Sequence, residues 1–341
     1  MRYLVTGGYG FIGSAFVRKI LKIDDAKVLN IDNLTYAANL HNLELVNECD
    51  RYTFVKADIN DRLVIIDTLK NFKPDVLLHF AAESHVDNSI ENATNFITTN
   101  INGTFELLEA VRFCLDGFDG VLPKDFRFIH VSTDEVYGDL EIGEPSFTEN
   151  SRYRPSSPYA ASKAASDHLV AAWCRTYKFP AIITNCSNNY GPYQNSEKLI
   201  PTVINSIINN VMIPIYGNGE QIRDWLYVDD HCNALRIISE KGIIGQSYAI
   251  GGNCEVSNIK LVHLICDLMD VEFNYRVVNR KSSKELIKYV SDRPGHDVRY
   301  SISTTKINAE LDWTSSTDFI DGLRATIKWY LSNRPTSKGC C

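Results

Sequence analysis

Short apolar runs alternate with amphipathic stretches along the first half of the chain. Runs such as RYLVTG, KVLNID and DVLLHFAA are rich in β-branched and aliphatic residues and are typical of buried strands. The stretches between them carry apolar residues at helical spacing, for example Ile12 and Phe16, and then Val17 and Leu21. Because parallel strands need long crossover connections, this alternation predicts a parallel sheet covered by helices.

The same pattern gives approximate bounds for the elements. We predict strands at RYLVTG, KVLNID, YTFVKAD, DVLLHFAA, the run that ends at Thr133, and AIITNCS, and helices over 11–22, 39–48, 61–71, 93–114 and 158–177. After about residue 190, loops lengthen and Pro, Gly and charged residues cluster in segments such as PYQNSEKLIP and DRPGHDVRY. We therefore predict an α/β protein with a doubly wound parallel sheet over 1–190 and a smaller α/β substrate domain over 191–341.

Composition and charge exclude several functional classes. The 341 residues are 44% hydrophobic and 23% charged, which is typical of a globular protein. A formal charge of -7 argues against nucleic-acid binding, and neither a transmembrane run nor a signal peptide is visible. We expect a cytoplasmic protein with no membrane or nucleic-acid partner.

The cysteines indicate reduced thiols rather than a disulfide framework or a metal site. The nine cysteines include no CxxC pair and no zinc-ligand spacing. The terminal pair Cys340-Cys341 lacks a CaaX box, so a frayed tail is favoured over lipidation.

The segment TGGYGFIG predicts a dinucleotide-binding turn. It follows the first strand and opens the first helix, with Gly7, Gly10 and Gly13 at the spacing of the Rossmann-like fingerprint. The first glycine permits the tight turn, the second admits a pyrophosphate, and the third allows close helix packing while the helix N-terminus faces the anion.

Two acidic residues end the next strands and extend this site. Asp32 lies about 20 residues beyond the glycines, where a carboxylate accepts hydrogen bonds from ribose hydroxyls and repels a 2′-phosphate. This favours NAD over NADP. Asp58 ends YTFVKAD and is predicted to bond the adenine, although an N-cap of the following helix is the alternative interpretation.

The segment SSPYAASKAASDHL predicts an acid-base pair on a helix. Ser157 is a suitable N-cap and Pro158 a suitable first residue, which places Tyr159 and Lys163 at i, i+4 on one face. A tyrosine with a pKa near 10 is a poor base, but a nearby cation and a helix N-terminus both favour the phenolate. Such a pair can remove a proton from an alcohol while hydride leaves its carbon.

The segment HVSTDEVYGD raises a question, because two carboxylates follow an apolar strand directly. Thr133, Asp134 and Glu135 either mark the end of the strand in solvent or lie at a strand tip where chemistry occurs. A dinucleotide-dependent epimerase or reductase has no use for such a pair, and a non-catalytic dinucleotide sensor would have lost the catalytic residues.

The ordered motifs across nearly the whole chain resemble the nucleotide-sugar 4,6-dehydratases of the extended short-chain dehydrogenase/reductase family. They are TGGYGFIG, HFAAESHVDNSI, STDEVYG, SSPYAASKAASDHL, TNCSNNYGPY, EKLIP, QIRDWLYVDDH and DRPGHDVRY. Two departures are visible. Asn88 stands where this family usually has arginine, and Gln194-Asn195-Ser196 replaces a more aromatic segment.

The resemblance implies catalytic roles at the strand tip. Thr133 takes the hydroxyl position beside the phenol of Tyr159, which removes the proton of the sugar 4-hydroxyl as hydride passes to NAD. Glu135 then removes the C5 proton and Asp134 protonates the C6 hydroxyl, because elimination of water needs one base and one acid. Return of hydride to C6 gives a 4-keto-6-deoxy sugar.

The resemblance also implies the remaining site residues and partners. Cofactor contacts are expected at Gly7, Gly10, Phe11, Ile12, Gly13, Asp32, Asn33, Leu34, Thr35, Asp58, Ile59, Ala81, Ala82, Ser84, Thr99, Tyr159, Lys163 and Asn189. Contacts with the nucleotide-diphosphate sugar are expected at Ser84, Thr133, Asn188, Lys198, Leu199, Arg223, Asn258, Asp292, Arg293 and His296. A homodimer through helices of the cofactor domain is implied as well.

Some alternatives stay open at this point. Arg223 suits a diphosphate, but a salt bridge to Asp224 or Asp229 would also explain a buried guanidinium. The sequence does not decide between a dTDP and a UDP sugar, or between glucose and an N-acetylated sugar.

Overall fold

The strands and helices of the protein are seen in a computed structural model that describes residues 1–22, 25–116, 121–275 and 277–333. The predicted frayed tail at Cys340-Cys341 lies outside these ranges. The strands are β1 (Arg2–Thr6), β2 (Lys27–Asp32), β3 (Tyr52–Lys56), β4 (Val76–His79), β5 (Arg127–Thr133), β6 (Ala181–Cys186), β7 (Asn188–Tyr190), β8 (Ile213–Tyr216), β9 (Ile222–Tyr227), β10 (Ser247–Ile250), β11 (Glu255–Ser257) and β12 (Ile287–Val290).

The helices connect these strands and cover both faces of the main sheet. They are α1 (Phe11–Ile20), α2 (Arg62–Phe72), α3 (Val86–Glu91), α4 (Thr94–Phe96), α5 (Thr104–Asp116), α6 (Pro158–Tyr177), α7 (Leu199–Asn209), α8 (Val228–Lys241), α9 (Asn258–Asp267), α10 (Thr305–Leu311) and α11 (Phe319–Ser332). Turns of 3-10 helix span Leu40–Val46, Asp134–Tyr137 and Ser283–Leu286, and π-helical turns span Ile97–Gly103 and Leu268–Glu272. No helix in the described ranges combines the length and apolar character needed to cross a membrane.

The largest sheet in the described residues is parallel throughout, with strand order β10-β6-β5-β4-β1-β2-β3. The chain runs outward from β1 through β2 to β3, and then from β4 through β5 to β6 on the other side. The order therefore reverses between β1 and β4, where the carboxyl ends of the strands leave a crevice for a ligand. The predicted Rossmann-like doubly wound sheet is confirmed.

Two apolar layers hold the helices against this sheet. On one face, Phe16 and Ile20 of α1 pack with Leu235 of α8. On the other face, Leu107 and Val111 of α5 pack with apolar residues of the strands and of the neighbouring helices. Both faces are buried, as a parallel sheet requires, and this explains the nearly continuous apolar strand sequences.

The second half of the chain adds two small sheets and a separate apolar cluster. The small sheets have orders β11-β9-β7 and β12-β8, and α7, α9 and α11 contribute to the cluster beside them. Strand β10, however, pairs with β6 in the large sheet. The domain boundary near residue 190 stays a prediction, since residues on both sides of it build one sheet.

Two predicted helices differ from the observed elements. The stretch 39–48 forms a 3-10 turn, and the stretch 93–114 is interrupted by the π-helical turn Ile97–Gly103. In that turn, Asn100 points inward and exchanges hydrogen bonds with the backbone of Glu83, at 2.8 Å and 3.0 Å. A π-helical turn shifts the helix register locally, and such turns are frequent at functional sites.

Candidate active site

The turn between β1 and α1 closes too tightly for side chains. Gly7 has a φ of +74°, and a Cβ there would lie 2.7 Å from the amide nitrogen of Ala81. A Cβ on Gly13 would lie 2.3 Å from the carbonyl oxygen of Gly7. The N-terminus of α1 thus meets the sheet edge as bare backbone, which fits the pyrophosphate of a dinucleotide.

Asp32 ends β2 at the same edge of the sheet and is largely buried. Its carboxylate accepts hydrogen bonds from the amides of Tyr9, at 2.9 Å, and Leu34, at 2.8 Å. Burial raises the pKa of Asp32, while these two hydrogen bonds lower it. The remaining lone pairs of the carboxylate can accept ribose hydroxyls, and its charge opposes a phosphate at this position.

Asp58 does not cap the following helix. Its carboxylate accepts hydrogen bonds from the side chain of Asn33 and the backbone of Asn60, both at 2.8 Å. The cap of α2 is Asp61, which accepts from the amide of Val64 at 3.3 Å. The N-cap interpretation of Asp58 is therefore wrong, and its side chain borders the ligand cavity.

One cavity connects the glycine turn with the tip of β5. Its lining includes the predicted cofactor residues Gly7, Gly10, Phe11, Ile12, Gly13, Asp32, Asn33, Thr35, Asp58, Ile59, Ala81, Ala82, Ser84, Thr99, Tyr159, Lys163 and Asn189. Leu34 is the exception. It adopts a φ of 58°, and its side chain packs on the hydrophobic core instead, so only its amide serves the site, through Asp32.

Several lining residues were not predicted. They are Ile31, Ala37, Ala38, Ala57, Phe80, Glu83, Val131, Ser132, Cys186, Ser187, Gln194, Asn195 and Glu197. Ala57, Phe80 and Ser187 lie at the carboxyl ends of predicted strands and directly follow the observed strands β3, β4 and β6. The rule that ligands bind at this edge of a parallel sheet was the signal that could have identified them.

The tip of β5 is organised by Thr133, which caps the 3-10 turn Asp134–Tyr137. Its hydroxyl accepts a hydrogen bond from the amide of Glu135 at 3.2 Å and donates one to Oδ1 of Asp134 at 3.3 Å. The buried Oδ2 of Asp134 has no partner among the described residues. Thr133, Asp134 and Glu135 all line the cavity, so the two carboxyl groups lie at a site and not at a solvated strand end.

The surroundings separate the two carboxyl groups chemically. Burial raises the pKa of Asp134 well above its ordinary value, and the charge of Glu135 raises it further. Burial also raises the pKa of Glu135, but the positive charges of Arg293, Arg223 and Lys198 lower it. This environment favours Asp134 as the proton donor and Glu135 as the acceptor of the pair.

Helix α6 begins as the sequence predicts and carries Tyr159 and Lys163, the predicted acid-base pair. Ser157 caps it by accepting from the amide of Ala160 at 3.1 Å, and Pro158 is its first residue. Lys163 is 4% exposed, and its ammonium group donates to the carbonyl oxygen of Val131 at 3.0 Å. Tyr159 and Lys163 therefore both face the cavity beside the tip of β5.

The predicted lowering of the tyrosine pKa is wrong for the protein without ligands. Burial raises the pKa of Tyr159 well above its ordinary value, and the charge of Glu135 raises it further, while a hydrogen bond with Thr133 lowers it. The nearby ammonium group of Lys163 does not outweigh these effects. The phenol starts as a neutral group.

The predicted substrate residues fall into two groups. Ser84, Thr133, Asn188 and Lys198 line the cavity, and Lys198 Nζ donates to the carbonyl oxygen of Ser84 at 2.9 Å. The other six residues lie in the second half of the chain and outside the lining of the cavity. They are Leu199, Arg223, Asn258, Asp292, Arg293 and His296.

Arg223 in this second group is buried but is not paired with the acids next to it in sequence. Its guanidinium donates to the carbonyl oxygens of Ile222, at 2.7 Å, and Asp297, at 3.0 Å, and lies over the ring of Tyr300. Asp224 instead accepts hydrogen bonds from backbone amides. The positive charge of Arg223 is thus available to the region of Glu135.

The DRPGH segment, residues Asp292 to His296, is held by contacts within the segment and by a contact with α3. Asp292 accepts from the ring of His296 at 2.6 Å and from Gln221 at 3.2 Å. The Arg293 guanidinium contacts Asp87 at 3.3 Å, and its Nε is buried without a partner among the described residues. Asp87 was not predicted, although it lies within the quoted motif HFAAESHVDNSI.

Comparison with known proteins agrees with this geometry. The family model described as GDP-mannose 4,6 dehydratase matches residues 4–326. The dTDP-glucose 4,6-dehydratase of Haemophilus influenzae is 52% identical over 337 residues, covering 99% of this chain and 100% of that protein.

Solved structures are similar over the same length. A dTDP-glucose 4,6-dehydratase from Streptomyces venezuelae with NAD bound has a TM-score of 0.88 and 42% identity, covering 98% of each chain. One from Bacillus anthracis in complex with NAD has a TM-score of 0.85 and 39% identity, covering 98% of this chain and 97% of that one. The chain therefore belongs to the GDP-mannose 4,6 dehydratase family and, within it, to the dTDP-glucose 4,6-dehydratases.

Proposed function

We propose that the protein removes water from dTDP-glucose to give dTDP-4-keto-6-deoxyglucose, with NAD as its cofactor. The observation that carries this proposal is the pair Asp134 and Glu135 at the tip of β5, with pKa values raised to different extents beside Tyr159. Elimination needs one base at C5 and one acid at the C6 hydroxyl, whereas epimerisation at C4 needs no such pair there. The names and NAD complexes of the relatives support the same activity.

The residues at the glycine turn fit the cofactor. The bare backbone at Gly7 and Gly13 would take the pyrophosphate, Asp32 the adenosine ribose, and Lys163 the nicotinamide ribose. The chemistry that NAD supplies when bound is reversible hydride transfer, from C4 of the sugar at the start and to C6 at the end.

Tyr159 acts first, as the base for the sugar 4-hydroxyl. Burial and Glu135 keep its phenol neutral before the reaction, so the phenol must first release its proton to solvent. The ammonium of Lys163 and the hydroxyl of Thr133 then stabilise the phenolate, which accepts the proton of the 4-hydroxyl. The hydrogen bond from Lys163 to Val131 fixes the ammonium near the strand tip for this purpose.

Glu135 and Asp134 carry out the elimination. Once C4 is a ketone, the C5 proton is acidic, and Glu135 removes it because three cations favour its ionised form. Asp134, kept protonated by burial, gives its proton to the departing C6 hydroxyl. Glu135 later returns a proton to C5.

The cations on the second half of the chain would bind the diphosphate. Arg223, Arg293 and Lys198 all act electrostatically on Glu135, so a doubly charged group bound among them lies near the catalytic tip. The unpartnered Nε of Arg293 offers one further donor.

The deciding experiment is product analysis with dTDP-glucose and UDP-glucose side by side. We expect the purified protein to convert dTDP-glucose without stoichiometric NAD or NADH, since the hydride is returned. Conversion of UDP-glucose at a higher kcat/KM would overturn the choice of dTDP-glucose as the substrate. A steady need for reductant would instead indicate a reductase.

We propose a cytoplasmic homodimer formed through α5 and α6. All seven cysteines in the described ranges have free thiols, which suits a reducing compartment. Phe113 on α5 is 55% exposed and Tyr177 on α6 is 47% exposed, so these helices present aromatic surface. Light scattering should give twice the 38.5 kDa mass of one chain, and Phe113→Asp should lower it.

A further inference from the structure

A buried carboxylate that the proposed mechanism does not use lies behind the catalytic strand tip. Asp167 is 1% exposed and lies four residues after Lys163 on the same face of α6. Its Oδ1 is 3.0 Å from Nε2 of His130. Its Oδ2 accepts hydrogen bonds from the Tyr153 hydroxyl, at 2.9 Å, and from the Asn185 amide, at 3.1 Å.

The neighbouring histidines do not neutralise this carboxylate. Burial lowers the pKa of His130, and the charge of Lys163 lowers it further. Burial lowers the pKa of His79, whose ring lies 5.4 Å from that of His130, well below its ordinary value. Both rings are therefore neutral near pH 7, and they serve as hydrogen-bonding groups.

Further titratable groups facing this region are neutral as well. On the elements packed against α6, burial raises the pKa of Cys186 to about 12 and raises the pKa values of Tyr137 and Tyr153 as well. Asp134 is held protonated in the same way. On the cavity side Glu135 faces the cations of the second half, which leaves Asp167 and Lys163 as the opposite charges of this buried layer.

The carboxylate stays ionised despite its burial. Burial alone would raise the pKa of Asp167, yet the hydrogen bond with His130, the charge of that ring when it is protonated, and the charge of Lys163 lower it below its ordinary value. Because the His130 ring is neutral near pH 7, Lys163 is the cation that acts on Asp167 there. In return, burial lowers the pKa of Lys163 and the charge of Asp167 raises it. Each charge thus compensates for the desolvation of the other.

We propose that Asp167 is the counter-ion of Lys163, a positioning residue that keeps the catalytic ammonium charged inside the protein. This inference rests on the proposed function, in which that ammonium stabilises the Tyr159 phenolate. Asp167 lies outside the cavity lining and acts only through other groups. It also supports the strand tip through Asn185, whose amide donates to both Asp167 and the carbonyl oxygen of Thr133, at 3.1 Å each.

The first test compares pH profiles of turnover for Asp167→Asn and Tyr153→Phe. The asparagine keeps the shape but removes the charge, so Lys163 should lose its proton at lower pH. We expect the alkaline limb of kcat to move to lower pH by about one unit or more. Tyr153→Phe removes one hydrogen bond to the same carboxylate and keeps the charge, so its alkaline limb should stay in place. Equal profiles for the two variants would mean that Asp167 has only a structural role.

The second test needs no activity and uses thermal unfolding with excess NAD. The parent is compared with Asp167→Asn, Lys163→Met and the double variant. Removing one member of a buried pair strands the other charge, so the double variant should lose less unfolding temperature than the two single losses added together. Any change in NAD affinity from Lys163→Met enters the single and double variants alike and cancels.

The outcomes separate the inference from the proposed function. Additive losses overturn the proposed counter-ion role of Asp167, even if dTDP-glucose is turned over normally. If Asp167→Asn does not fold while the double variant does, the pair is supported. If neither Asp167→Asn nor the double variant folds while Lys163→Met does, the proposed pairing is overturned. Failure of the parent to dehydrate dTDP-glucose contradicts the proposed function, and the unfolding comparison still decides the pairing.

Discussion

Asp87 of α3 and Arg293 of the DRPGH segment are 206 positions apart in the chain, and their carboxylate and guanidinium groups lie 3.3 Å apart. The same carboxylate accepts a hydrogen bond from the Tyr216 hydroxyl at 3.1 Å. Asp87 therefore connects the cofactor-binding half of the chain with the part that carries the cations facing Glu135. One acidic residue outside the chemistry orients a cation toward the site.

Asp87→Asn is predicted to weaken substrate binding more than catalysis. Without the carboxylate, Arg293 loses the contact that directs it, while Tyr159, Asp134 and Glu135 keep theirs. We expect KM for dTDP-glucose to rise about tenfold or more with kcat nearly unchanged, as for loss of a charged hydrogen bond. Tyr216→Phe is the matched control, because it removes only the other contact of Asp87 and should change KM by less than about twofold. A fall in kcat alone for Asp87→Asn would contradict this role.

Tyr159→Phe is predicted to abolish the first oxidation. The phenylalanine preserves the packing of the ring against Phe96 but cannot accept the proton of the 4-hydroxyl. We expect turnover to fall by about 10²-fold or more, measured as formation of the keto sugar. Tyr177→Phe, at the exposed end of the same helix, should leave turnover unchanged. Near-parent turnover of a folded Tyr159→Phe protein would refute the assignment.

Local patterns predicted the elements that position the site. The Ser157 cap and Pro158 define the start of α6 without help from tertiary contacts, and the observed helix has the predicted bounds. The glycine spacing likewise predicted the turn. The left-handed φ at Gly7 and the close approach of Gly13 to the carbonyl oxygen of Gly7 both depend on backbone that is near in sequence. Such signals reside in a few consecutive residues.

Features that depend on long-range contacts were not predictable in this way. The side chain of Leu34 turns into the core because a positive φ redirects it, and no local pattern marks that choice. The raised pKa of Tyr159 results from burial and from Glu135, which only the folded chain brings near. The Asp87 contact likewise requires both halves of the chain in place.

Asp134→Asn is predicted to make the protein more stable at alkaline pH. The folded-state pKa of Asp134 is raised above its ordinary value of 3.8, so the fold favours the neutral form. The contribution of this group to the free energy of unfolding is fully present below pH 3.8, and it is lost as the pH rises from there toward the folded-state pKa. The neutral asparagine avoids that loss, so its unfolding temperature should exceed that of the parent by about 1–3 °C at pH 8.

The pH dependence provides the control for this stability prediction. Near pH 3, below the ordinary pKa of 3.8, the carboxyl group is largely neutral in the folded and unfolded states alike, so the advantage of Asp134→Asn should shrink toward zero. The substitution leaves the surroundings of the site unchanged, but the variant should still lose turnover. An advantage that does not depend on pH would indicate altered packing instead of an avoided charge.

Glu135→Gln should separate oxidation at C4 from exchange at C5. If Glu135 removes and returns the C5 proton, that proton exchanges with solvent, so the parent should place deuterium at C5 in deuterium oxide, while the hydrogen added to C6 comes from C4 of the same molecule. The glutamine leaves Tyr159 and Lys163 in place, so C4 oxidation should survive while C5 exchange falls by about 10²-fold or more.

Asp134→Asn is the matched variant for this experiment, because it weakens only protonation of the C6 hydroxyl. Its C5 exchange should therefore be spared more than its loss of water. The contrast follows from the environments of the two carboxyl groups, since three cations favour ionised Glu135 while burial keeps Asp134 protonated. Should Glu135→Gln incorporate deuterium at C5 as fast as the parent, another group is the base, and the division of roles at the tip of β5 is wrong.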